Sequence, residues 1–175
     1  VQDDCFPLLY LLSTGGLNQN LAISLADIKA VINHLSANFD FVLIDCPAGI
    51  DAGFKRAVFC ADEALVITTP HLSSIRDADK VVTILSSYNL ISKRFVINRA
   101  RGDLIQDKLM LDVYDVGKSL RIDFGGVIPD DDSVITATSE NVADQRLALN
   151  RAFDILAENI LTGEKKLFDC TYKYR

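Results

Sequence analysis

Histidine, cysteine and methionine are scarce in this 175-residue chain, which holds two, four and one of them. His34 and His71 stand far apart, and Cys5, Cys46, Cys60 and Cys170 form no C-x-x-C pair, so a zinc site lacks its spacing. Reduced thiols are the expectation. No apolar run approaches the length that crosses a bilayer, and no signal-peptide pattern is visible. An excess of positive charge is missing too. The net charge of −6 gives the molecule a field that does not favour nucleic acid, so no nucleic-acid partner is expected. There is no internal repeat, low-complexity tract or linker.

What remains is ordinary for a globular domain: 49% hydrophobic and 24% charged residues, in a chain long enough for one full core. A single domain over 1–175 is expected, with residues 164–175 as a tail.

Short apolar runs alternate with stretches of helical period. Strands are expected at Pro7 to Leu12, Phe41 to Asp45, Ala64 to Thr69, Arg94 to Asn98 and Gly125 to Ile128. Helices are expected at Ser24 to Ala37, with Ser24 and Asp27 as a capping-box variant, and around Phe54 to Ala61. A third starts near Ser74 and Asp77 and buries Ile75, Ala78, Val82 and Leu85. Another runs from Asp107 to Leu120 and breaks or ends at Gly117. Two more fit Ser133 to Ser139 and Asp144 to Leu161, with Gly163 as the left-handed residue after the last. This alternation predicts an α/β fold: a doubly wound, mostly parallel sheet with helices on both faces. Ligands of such sheets sit at the carboxyl ends of the strands. Asp45, Asn98 and Pro129 all fall at such ends.

In FDFVLIDCPAGI, Phe39 to Ile50, a buried-looking run stops at an acid and a Pro-Ala-Gly turn. An acid there suits Mg²⁺, which takes few carboxylates and keeps several waters. Pro47, Ala48 and Gly49 would let the backbone pass close to a phosphate. Equally, Asp45 suits the cap of a following helix. The Asn98 amide both donates and accepts, which fits the edge of an adenine or an ordinary turn. Arg99 suits stacking on a base or facing solvent. Pro129, Asp130, Asp131 and Asp132 fit a loop against a base or the cap of the next helix.

Four stretches, FDFVLIDCPAGID, ADEALVITTPHLSSIRDADKV, FVINR and GVIPDDDSV, in this order and spacing, resemble the MinD branch of the MinD/ParA family of deviant P-loop ATPases. The resemblance runs from about Leu8 to Leu161. It implies a P-loop NTPase-like fold with ATP and Mg²⁺ as cofactors. Asp45 would be the Walker B acid acting on Mg²⁺ through water, and Pro47 to Gly49 would be switch II near the γ-phosphate. Asn98 would read adenine, and the Pro129–Asp130 loop would line the base pocket. The family forms a homodimer around ATP, binds the inner face of the cell membrane through a C-terminal amphipathic helix, and places the division septum with MinC-like and MinE-like partners.

Two departures stand against that pattern. The family's Gly-rich loop, K-G-G-x-G-K-[ST], is absent: Gly15-Gly16 runs into Leu-Asn-Gln-Asn, and no lysine precedes Lys29. After Gly163 the chain reads EKKLFDCTYKYR, too short for a membrane helix. A sheet incomplete at its N-terminus is therefore expected, with Phe41 to Ile44 left without a neighbouring strand, as in part of a longer ATPase that does not hydrolyse ATP by itself. The alternative is a regulatory or scaffolding module that kept the fold without the loop. Within the family, the iron–sulfur carriers want paired cysteines and the DNA-segregating branch a basic surface. The flagellar-number and polysaccharide-secretion relatives remain open.

Overall fold

The computed structural model describes residues 1–13, 24–47, 49–131 and 147–172. The helix expected at Ser133 to Ser139 and the turn residue Ala48 lie outside the described residues. The chain divides into two compact units, Val1–Leu43 and Ile44–Arg175.

Among its described residues the first unit holds one helix, α1 (Leu25–Ser36), started by the expected capping box: the Ser24 side chain accepts from the Asp27 N–H, and the Asp27 carboxylate accepts from the Ser24 N–H. Its apolar stripe is thinly covered. Ile28, Ile32 and Leu35 are half-buried and no residue of the helix is fully buried. The strand expected at Pro7 to Leu12 does not form. A single antiparallel bridge, Gln2 to Tyr10, stands in its place, with Tyr10 edge-on to Phe39 at 5.2 Å between ring centroids.

The strand expected at Phe41 to Asp45 is also absent: the segment is irregular, and Leu43 is 86% exposed. A strand exists only through its ladder, and among the described residues none pairs with this run. Apolar residues alone do not make one.

The second unit is the sheet and its helices. Three strands, β1 (Glu63–Thr68), β2 (Ser92–Ala100) and β3 (Asp123–Pro129), lie parallel in the order β1-β2-β3. Helix α2 (Ala52–Cys60) precedes β1, and α3 (Leu72–Ser87) joins β1 to β2. Two short helices, α4 (Gly102–Gln106) and α5 (Val113–Leu120), join β2 to β3, and α6 (Leu147–Thr162) follows. This is the doubly wound α/β arrangement expected. Phe95, Ile97 and Val127 face α3 and α5, in a core that also takes Phe54 and Val58 of α2. Val96 and Ile128 point the opposite way, against Leu149 and Ala152 of α6 and Phe168 of the tail. The period of two along β2 thus fills both cores, each such side chain contributing roughly 1.5–3 kcal/mol by leaving water.

Several boundaries differ from expectation for local reasons. Helix α3 begins at Leu72, with His71 as an N-cap that makes no side-chain bond; Ser74 and Asp77 lie inside it. Ser74 instead accepts from the Thr69 hydroxyl at 2.8 Å, and Asp77 pairs with Lys80. The buried stripe is the expected one, Ile75, Ala78, Val82 and Leu85. Gly117 does not break a helix but sits within α5, where a Cβ would meet the Phe95 ring at 3.5 Å. The true interruption is upstream, between α4 and α5. Gly163 ends α6 with φ +76, as expected.

Candidate functional site

The carboxyl ends of β2 and β3 bring together four of the residues singled out from the sequence: Asn98, Arg99, Pro129 and Asp130. Along β2, Ile97 lies opposite Val127 and Ala100 opposite Pro129, so Asn98 and Arg99 together face the single residue Ile128. That is a β-bulge, a device that bends a strand and re-aims its side chains. Arg99 takes a left-handed backbone, φ 58, inside it. Its N–H donates to the Asn98 side-chain oxygen at 3.0 Å, and its Nε donates to the Asp130 carboxylate at 3.0 Å. The Asp130 N–H donates to the Ala100 carbonyl at 3.0 Å, extending the β2–β3 ladder by one rung. Asn98 is half-buried and the Arg99 side chain is 68% exposed.

Asp45 lies near the start of the second unit, before α2. It is exposed, and among the described residues its carboxylate takes no hydrogen bond or ion pair. It does not cap α2. That task belongs to Asp51, whose carboxylate accepts from the Gly53 and Phe54 N–H groups at 2.8 and 3.3 Å. Between the two acids the chain turns through Pro47 and Gly49, and Gly49 has φ +102, a conformation costly for any residue with a Cβ. The turn rests on α2: a Cβ on Gly53 would come within 2.8 Å of the Pro47 ring. Partial desolvation pushes the Cys46 thiol above its ordinary value, and the negative charges of Asp45 and Asp51 add to the effect.

No group of three metal-ligating side chains exists among the described residues. Among the described residues, the donor at the turn without a protein partner is the Asp45 carboxylate. This fits Mg²⁺ of the kind that keeps most of its waters and leans on phosphate oxygens, and fits no all-protein cage.

Reading the sequence missed Asp51 and the Thr69–Ser74 bond. Asp51 was findable, since an Asp directly before the helical run that starts at Ala52 is an N-cap signal. The Arg99–Asp130 pair spans 31 residues and left no local signal.

No protein-family model matches the chain. It is 40% identical over 133 residues to the septum site-determining protein MinD of Bacillus subtilis, covering 75% of this chain and 50% of that protein. Among solved structures it superposes on the MinD cell division protein of Aquifex aeolicus with TM-score 0.81 and 30% identity, covering 95% of this chain and 69% of that one. MinD in the MinC:MinD cell division protein complex of Aquifex aeolicus gives TM-score 0.74 at 31% identity, covering 82% and 61%. The septum site-determining protein MinD of Pyrococcus horikoshii, complexed with Mg-ADP, gives 0.65 at 26%, covering 82% and 60%. The chain spans about half to three-fifths of the length of the curated relatives it matches. With that sheet order, that turn and these likenesses, the chain belongs to the MinD/ParA family, in its MinD branch.

Proposed function

We propose that this chain supplies the switch turn and the base-binding rim of a MinD-like ATPase that positions the division septum. The observation that carries the reading is the pairing of an exposed, uncommitted Asp45 before a glycine-bearing turn with an Asn98 amide held at the carboxyl end of a parallel strand. Adenine would meet Asn98 and the Pro129–Asp130 loop. The phosphates would run towards Pro47, Ala48 and Gly49.

Asp45 is the residue that would hold Mg²⁺, through water. Bound there with ATP, the ion would neutralise charge on the phosphate oxygens. The part of this chain is to hold that water shell with the Asp45 carboxylate and to bring backbone N–H groups near the terminal phosphate. Residues 1–175 contain no lysine-bearing Gly-rich loop, so this chain by itself is expected to release little or no phosphate from ATP.

The finer parts of the reading come from the family. The intact protein would form a homodimer on ATP, meet MinC-like and MinE-like partners, and sit peripherally on the inner face of the cell membrane through a C-terminal helix. A MinC:MinD complex among the structural neighbours supports the first of those partners. No described helix is long and apolar enough to cross a membrane.

Competition binding with a fluorescent adenine nucleotide tests the proposal. ATP should displace the probe better than GTP, and Asn98→Ala should erase the difference. Equal displacement by both nucleotides in the unaltered chain would refute the base assignment.

A further inference from the structure

Helix α2 carries a glycine, Gly53, in its first turn, although glycine disfavours a helix relative to alanine. Gly53 has no positive φ to account for it. Its use lies outside the helix. A Cβ at position 53 would stand 2.8 Å from Pro47 Cγ and 3.2 Å from the Asp51 carboxylate. We infer that Gly53 is a positioning residue for the turn that follows Asp45: the notch it leaves in α2 seats the Pro47 ring, and the seat sets where the main chain at Pro47 lies. This rests on the proposed Mg²⁺–phosphate site, and it gives that site a floor.

Both sides of the contact are stiff. Asp51 holds the start of α2, its carboxylate accepting from the Gly53 and Phe54 N–H groups. Phe54 and Val58 bury the same helix in the core. On the other side, the proline ring is closed on its own backbone nitrogen. It can change pucker, but it cannot swing clear as a longer side chain would.

Carbon atoms rest about 3.5–4.0 Å apart, so a methyl group at position 53 asks for a shift of about 1 Å. Ring pucker takes up part of that shift, and the peptides on either side of Pro47 take up the rest. A hydrogen bond from a backbone N–H to a phosphate oxygen is made or lost over such a distance. Just upstream, the Asp45 carboxylate has no partner among the described residues, and just downstream Gly49 turns the chain at φ +102. Neither of these ties the turn to α2; the Pro47 ring does.

Gly53→Ala tests this against a purely structural role, with Val58→Ala as the comparison. Val58→Ala weakens the same helix by removing buried methyl groups, and it adds no atom to the notch. Two readouts apply to the 175-residue chain. One is the residual dipolar couplings of the Cys46 and Gly49 N–H groups without nucleotide. The other is the ratio of affinities for ATP and ADP in Mg²⁺.

In the unaltered chain ATP should be preferred to ADP. Gly53→Ala should change the Cys46 and Gly49 couplings and reduce that preference about tenfold, the scale of one hydrogen bond to a charged group. The preference for ATP over GTP should stand, because Asn98 is untouched. Val58→Ala should lower stability and leave both readouts as they were. Couplings unchanged in Gly53→Ala would overturn the inference, and so would an unchanged ratio of ATP to ADP affinity. Equal loss in Val58→Ala would overturn it as well and make the stability of α2 the cause. An unaltered chain that binds ATP and ADP alike would sink the phosphate reading instead, while the nucleotide-free couplings still decide the seating of Pro47.

Discussion

The side-chain amide of Asn159 exchanges two hydrogen bonds with the backbone of Lys166: its NH₂ donates to the Lys166 carbonyl at 2.8 Å, and its oxygen accepts from the Lys166 N–H at 2.9 Å. The same NH₂ donates to the Gly125 carbonyl of β3 at 2.9 Å, and the residue is 0% exposed. One buried amide thus clasps α6, the sheet and the tail, with Arg94 donating to the Asn159 carbonyl at 2.8 Å. Asn159→Ala takes this partner from three backbone groups, the Gly125 carbonyl in the buried core and the part-buried N–H and carbonyl of Lys166. It should cost about 3 kcal/mol of stability, more than any surface change in the chain. Urea denaturation of the two proteins checks this, and a loss under about 1 kcal/mol would contradict it.

Cys170 reports on the same clasp. Burial, chiefly, holds its thiol above the ordinary value, and the Asp169 charge acts in the same direction. A raised value keeps the thiol protonated and unreactive to higher pH. Alkylation of Cys170, followed by mass spectrometry, should therefore begin at higher pH than for a free thiol. In Asn159→Ala, where the tail loses its tie, the onset should move down in pH and the rate at a fixed pH should rise. An unchanged profile would mean that the tail holds itself without the clasp.

The turn beside Asp45 makes a third test. Gly53→Ala would ordinarily favour a helix, but here its Cβ would meet the Pro47 ring, which is stiff. We expect a net loss of about 1 kcal/mol in place of a gain. Gly49→Ala should cost a similar ~1 kcal/mol from backbone conformation alone, because nothing lies within 4 Å of the added atom. Thermal denaturation of both variants separates the crowded glycine from the strained one: truncating Pro47 to Ala should relieve the first and not the second.

β1 pairs only with β2 among the described residues, and Ile67 on it is 65% exposed. An unpaired edge with an exposed apolar side chain is a template for association between chains. Ile67→Lys should leave the melting temperature within about 2 °C and lower concentration-dependent light scattering. If scattering is unchanged, association runs through another surface.

The elements that could be read in advance are those whose signal is local and complete. The β2 run carries its own strand pattern, and Ile75, Ala78, Val82 and Leu85 keep the helical period that buries them. Phe41 to Ile44 shows the limit. Its composition is that of a buried strand, but a ladder needs a partner, and none pairs with it among the described residues. The cap of α2 was left open for a related reason. Asp51 and Asp45 are both plausible caps on sequence alone, and only the direction of the turn decides between them. At the rim, the motif placed Asn98, Arg99 and Asp130 at strand ends, but the bulge and the ion pair that relate them depend on register between β2 and β3. Register is a property of two strands, and no single stretch encodes it.

A divalent cation and an adenine nucleotide are proposed to meet this chain at Asp45 and Asn98. Mn²⁺ can replace Mg²⁺ and broadens NMR signals close to it. Adding Mn²⁺ with excess ATP to the isotope-labelled chain should broaden the amides from Asp45 to Gly49 first. The Asn98 side-chain amide should shift with ATP even before Mn²⁺ is added. Asp45→Asn should remove the broadening and leave the Asn98 shift. Broadening elsewhere, or broadening at the turn that survives Asp45→Asn, would contradict the claim.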